Sequence, residues 1–162
     1  MHIRSANMAD LDRIMEIYAH AQQFMRENGN PTQWSNTYPT RELIESDIAN
    51  RVSYVVTDDA GKVQGVFVFA NGPDKTYAVI RGGAWKNDDP YGVIHRIASG
   101  GEVPGVFGAA IDYCKSRMDN LRIDTHENNR VMQHLITKNG FAFCGHITTH
   151  DGTDRLAYQY TK

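Results

Sequence analysis

No apolar run in this chain approaches the roughly 20 residues that a membrane-spanning helix needs, so a protein without a membrane partner is expected. The opening residues, MHIRSANMADLD, lack the apolar stretch of a signal peptide. Cysteine is scarce. Cys114 and Cys144 are the only two, too few for a disulfide framework, and a reducing, cytoplasmic setting is the expectation. Neither sign of charge dominates: 17 Lys and Arg face 19 Asp and Glu, for a net charge of −2. No basic field therefore argues for nucleic acid. Internal repeats and low-complexity segments are absent. The chain holds 7 histidines but no zinc-like spacing. On one strand His146 and His150 would lie about 13 Å apart, too far for one ion, and His126 and His134 lack a second pair of ligands. No metal is expected.

What is present suits one domain, residues 1–162. HIRSA (2–6) reads as a first strand. Asn7 stands at an N-cap position with Asp10 three residues on. Leu11, Ile14, Ile17, Tyr18, Ala21 and Met25 then recur at three- and four-residue steps, which predicts an amphipathic helix to about Glu27. ENGNP breaks it. A polar loop, NPTQWSNTYP, leads to Thr40, which suits the cap of a shorter helix, RELIESDIAN. VSYVVTD and VQGVFVFAN, joined by DAGK, predict a hairpin. KTYAVIRGGAW is expected as a further strand, and YGVIHRIAS as a central one. A helix over about 105–118, the strand LRIDT, a helix over about 128–138, and the strands FAFCGHITT and RLAYQYT complete the order. This order predicts an α/β fold with a mixed sheet and helices on both faces.

The stretch GGEVPGVFG, Gly100 to Gly108, follows a strand and opens a helix. Successive backbone N–H groups at a helix start, with the partial positive charge of the helix end, suit a pyrophosphate. Glu102, Val103, Pro104, Gly105, Val106 and Phe107 resemble the Gln/Arg-x-x-Gly-x-Gly/Ala loop of the GNAT superfamily of N-acetyltransferases. Gly105 matches the central glycine. Glu102 departs from Gln or Arg, and Phe107 from a small residue, although Gly108 follows. The stretch from Asn129 to Phe141 resembles that superfamily's Asn-x-x-Ala-x-x-Leu-Tyr-x-Lys-x-Gly-Phe, with Met132, Leu135, Lys138 and Gly140 in step. Ile136 departs from the tyrosine that protonates the leaving thiolate.

The resemblance implies a GNAT-like mixed, mostly antiparallel central sheet. It implies acetyl-CoA as cosubstrate and a primary amine, on a small molecule or peptide, as acceptor. It places cofactor contacts on the backbone of Ile97, Ala98 and Ser99, on the loop Gly105, Val106, Phe107 and Gly108, and on Asn129. It sets Trp34 and Tyr38 on the acceptor side. Both also read as aromatic plugs at a sheet edge.

Histidine suits the removal of a proton from the amine. His95, two residues before the cofactor strand segment, is the candidate base; a buried histidine held by polar neighbours is the other reading. His126 faces the cleft or caps the following helix. Asp124 should alternate away from Thr125. Water or Tyr38 stands in for the acid absent at Ile136. Phe107 also fits a core stripe with Ala110, Ile111, Cys114 and Met118. A second reading of the whole chain follows: a GNAT-like module without catalysis that binds a ligand or partner. The last two strands offer an apolar edge, which would suit a homodimer.

Overall fold

The computed structural model describes residues 1–35 and 37–162. Seven strands form one sheet, β1 (His2–Ser5), β2 (Ser53–Thr57), β3 (Val63–Asn71), β4 (Gly92–Ser99), β5 (Asn120–Thr125), β6 (Ala142–Thr148) and β7 (Asp154–Thr161). Their spatial order is β1-β2-β3-β4-β5-β7-β6. Every neighbouring pair is antiparallel except β4 and β5. Four helices cover the sheet: α1 (Leu11–Glu27), α2 (Arg41–Ala49), α3 (Val106–Arg117) and α4 (Arg130–Lys138). The expected mixed, mostly antiparallel sheet is what forms.

Local chemistry explains the helix starts. Asn7 and Asp10 close a reciprocal capping box: Asn7 accepts from the Ala9 N–H, and Asp10 accepts from the Asn7 N–H at 2.9 Å. The first turn, Met8–Asp10, is a 3-10 turn that leads into α1. The predicted stripe Leu11, Ile14, Ile17, Tyr18, Ala21 and Met25 is the buried face. Thr40 Oγ1 accepts from the Leu43 N–H and caps α2.

The sheet separates two main apolar layers. Val56, Phe67, Phe69, Ile94 and Ile97 pack against Phe107, Ala110 and Ile111 of α3 and Ile136 of α4. On the opposite face Val55, Val66 and Ala98 pack against α1 and α2. A smaller cluster on that second face joins Val93, Ile147 and Ala157 to Tyr77.

One expected strand is corrected. KTYAVIRGGAW is not a strand. Asp74 accepts from both the N–H and the hydroxyl of Thr76, and the chain winds into a 3-10 turn at Lys75–Tyr77. Here a side chain competes with the sheet for the backbone. Tyr77 is thereby driven inward to 1% exposure, and the Trp85 indole N–H donates to its carbonyl at 2.9 Å. Only Arg81 keeps a sheet-like bridge, to His146 on the edge strand β6.

Candidate active site

The site begins where the sheet opens. The parallel ladder of β4 and β5 holds only at Gly92↔Leu121 and Val93↔Arg122. Beyond these pairs β4 runs on to Ser99 and β5 to Thr125, so the β5-facing edge of β4 carries no ladder bonds there. On its other side β4 carries a bulge. Val66 pairs with Ala98 but Val68 pairs with His95, and Arg96 takes φ 48°. The Tyr18 hydroxyl donates to the Arg96 carbonyl at 2.8 Å, and the Arg96 guanidinium grips Asp47 at 2.8 and 3.0 Å.

A cavity of about 240 Å³ lies at this opening. Ile97, Ala98 and Ser99 form its β4 wall. Val106 and Phe107 bring the start of α3, and Asn129, Met132 and Leu135 bring α4. His20, Ala21, Phe24 and Met25 of α1 close the remaining side. Six of the eight residues expected to contact cofactor thus meet on one cavity, and Gly105 and Gly108 flank it. Gly105 adopts φ 83° as the N-cap of α3, a conformation that suits glycine. It offers no side-chain cap, and the first-turn amides of α3 have no intrahelical acceptor. Phe107 belongs to the core layer, at 8% exposure, and also forms part of the cavity wall.

The carboxylate at Glu102 does not line this cavity. Lys62 Nζ donates to it at 2.7 Å and Arg13 Nη2 at 3.2 Å, and Lys62 holds its pKa below the ordinary carboxylate value. A bare carboxylate there would repel a phosphate, and the two cations offset its charge. Ile136 is wholly buried in the layer under α3, so the missing tyrosine is replaced by a core side chain rather than by another polar group.

His95 projects from β4 on the face away from α3, beside the Tyr77 ring, and is not part of the cavity wall. Its Nε2 lies 2.8 Å from Asp74 Oδ2, and its Nδ1 lies 4.0 Å from Asp124 Oδ2 across the opening. The Tyr77 hydroxyl donates to that same Asp124 oxygen at 2.6 Å. Burial, then the Asp124 charge, pushes the Tyr77 phenol well above its ordinary value, so it remains a donor. The hydrogen bond to His95 holds Asp74 far below the usual carboxylate range. With Asp74 ionised, the proton of a neutral imidazole belongs on Nε2 and the lone pair on Nδ1. The structure shows the polar neighbours that one of the two readings expected: Asp74 holds Nε2, and Nδ1 faces Asp124.

The depressed Asp74 pKa predicts a pH dependence. Its contribution to stability is fully present above its unfolded pKa of about 3.9, and it is lost as pH falls through the lower folded value. Urea unfolding should show wild type exceeding Asp74→Asn at pH 7, with the gap shrinking below pH ~4. A gap constant down to pH ~2 would contradict the charge-assisted hydrogen bond between Asp74 and His95.

His126 fits the role of base less well. Its Nδ1 accepts from the Asn128 N–H at 3.0 Å, and burial together with Arg155 lowers its pKa. Asp124 does alternate away from Thr125, as the strand period requires. Trp34 packs edge-on against Tyr18 and Tyr38 at 5.7 and 5.8 Å, and Tyr38 Oη accepts from Arg96 at 3.3 Å. Both aromatics therefore stand beside the bulge that follows His95, and neither lines the cavity.

Asn129 caps α4 by accepting from the Met132 N–H, and its Nδ2 donates to Gln33 Oε1 at 3.0 Å. Gln33 was invisible to the sequence reading. Its amide oxygen also accepts from Asn30 Nδ2 and its carbonyl from Arg155, which ties the loop after α1 to α4 and β7. Asp74, Tyr77 and Gln33 lie in irregular segments and showed no periodic signal. Gln33 lies in the polar loop NPTQWSNTYP, whose composition alone does not single it out.

A scan against family models and a search of curated proteins each found no match. Solved structures do match. An acetyltransferase of the GNAT family from Streptococcus agalactiae 2603 is 31% identical, over 99% of this chain and 95% of that one, with a TM-score of 0.88. A GNAT-family acetyltransferase from Listeria monocytogenes 4b F2365 shares the fold at 20% identity, over 99% and 94% of the chains, with a TM-score of 0.72. A GNAT superfamily phosphinothricin acetyltransferase from Sinorhizobium meliloti, in complex with AcCoA, shares it at 16% identity, over 99% and 87%, with a TM-score of 0.65. The parted β4–β5 pair, the glycine-capped α3 and the near-complete match to the streptococcal enzyme agree, and this chain belongs to the GNAT family of acetyltransferases.

Proposed function

We propose that this protein transfers an acetyl group from acetyl-CoA to a primary amine of a small molecule or peptide, with His95 as general base. The observation that carries the reading is the cavity at the parted β4–β5 edge, which gathers Ile97, Ala98, Ser99, Val106, Phe107 and Asn129. The free first-turn amides of α3 suit the pyrophosphate, and the open edge of β4 suits the pantetheine amides. A relative of the same fold holds AcCoA, which supports the same choice of cosubstrate. In the reaction the acceptor ammonium first loses one proton to solvent through His95 Nδ1, and the nitrogen's second proton goes to Nδ1 as the amide forms. The amine nitrogen bonds to the acetyl carbon, the carbon–sulfur bond breaks, and CoA leaves as thiolate. Trp34 and Tyr38, next to the bulge, would bound the acceptor, and the acid that protonates the thiolate is water or Tyr38.

Thermal unfolding with ligand tests the cofactor reading. At a hundredfold excess over Kd, acetyl-CoA should add about 2.7 kcal/mol, which is roughly 5–11 °C for a chain of this size. Free CoA should do the same and ATP should not. No shift at saturating acetyl-CoA would overturn the reading and favour a non-catalytic binding module.

A further inference from the structure

The loop that opens α3 brings no cationic side chain to the cavity. From Ser99 to Gly108 its one charged residue is Glu102, and that carboxylate is drawn off to Lys62 and Arg13. The Gly101 N–H donates to Ser99 Oγ at 3.1 Å. The cavity wall is otherwise largely apolar, with Phe24, Met25, Val131 and Leu135 among its residues. Any side-chain donor that joins the α3 amides on a phosphate there comes from another element.

That element is α1. Among the described residues on the cavity wall, His20 is the one ionisable side chain. Its ring lies against the loop: a Cβ placed on Gly101 would stand 2.5 Å from His20 Nε2 and 3.0 Å from Cε1. Gly101 adopts φ 77°, which suits glycine, and its missing side chain admits the imidazole. Nε2 therefore sits at the turn between β4 and α3, on the same cavity as Val106 and Phe107 of the first turn of α3.

We infer that His20 is a cofactor-binding residue whose Nε2–H donates to a phosphate oxygen of CoA, a task that Glu102 leaves unfilled. This rests on the acetyl-CoA reading above. A hydrogen bond to a charged phosphate contributes more than a neutral one. Losing it should weaken binding about tenfold or more.

The test is calorimetric titration of CoA into wild type, His20→Ala and His20→Phe. Phenylalanine keeps a ring against Gly101 but has no N–H. His20 is exposed, and both variants should unfold at the wild-type temperature without ligand. Both should bind CoA about tenfold or more weakly. Wild-type affinity in His20→Ala would overturn the inference, as would wild-type affinity in His20→Phe, which would reduce His20 to packing. If wild-type protein itself fails to bind CoA, the cofactor reading falls and this inference with it.

Discussion

Replacing His95 with alanine is expected to lower kcat about 10²- to 10⁴-fold, the usual worth of a general base, with little change in KM for acetyl-CoA. His95 does not line the cavity, so its loss should spare cofactor binding. The argument rests on which nitrogen is left to act. Asp74 orients the ring through Nε2 at 2.8 Å, and Nδ1 faces Asp124 across the parted strands at 4.0 Å. An acceptor ammonium drawn toward Asp124 would then reach the lone pair on Nδ1. Asp74→Asn supplies the control. An amide can offer an N–H to Nε2, which would put the ring proton on Nδ1 and remove the base without removing the ring. Both variants should lose the rising limb of the pH–rate profile. An unchanged profile in His95→Ala removes His95 as base. Loss in His95→Ala with full activity in Asp74→Asn would keep the base and discard its orientation by Asp74.

Much of this site could be read from the sequence because it depends on backbone. Gly105 needed only to be glycine at a strand-to-helix turn, and Asn129 needed only to begin a helix. Their positions in the order of elements then placed Ile97 to Ser99 beside them. The polar cluster was half legible. His95 was found because it sits on a strand with a clear period. Its partners were not, because Tyr77 lies in the segment misread as a strand and Asp74 just before it. β-Branched and aromatic residues there gave a strand pattern, while one aspartate bonding to Thr76 decided the outcome. The direction of Glu102 was equally hidden. Lys62 and Arg13 are 40 and 89 positions away in the chain, and no local pattern pairs them. The bulge at Arg96 was hidden for the same reason, since nothing in HRIAS marks a residue at positive φ.

That bulge carries the largest expected effect on stability. Asp47→Ala should destabilise the fold by about 3–5 kcal/mol, the cost of leaving a buried charge without its partner. For a chain of this length that is a fall in Tm of roughly 6–20 °C. The side chains of Arg96 and Asp47 are only 14% and 9% exposed, and two parallel hydrogen bonds join them. A left-handed backbone at a non-glycine residue persists only where its surroundings impose it. Here they are the Asp47 clamp on the side chain and the Tyr18 hydroxyl on the carbonyl. The bulge also sets the two-against-three pairing that turns Ile97 to Ser99 into the cavity wall. CoA affinity should therefore fall along with stability. Tyr18→Phe separates the two contributions: it keeps the ion pair and the ring, and removes only the hold on the Arg96 carbonyl. It should cost about 0.5–1.5 kcal/mol and weaken CoA binding less than Asp47→Ala does. A Tm within about 2 °C of wild type in Asp47→Ala, less than 1 kcal/mol on this scale, would mean that the bulge is set by the β3–β4 ladder and α1, with the ion pair only resting on it.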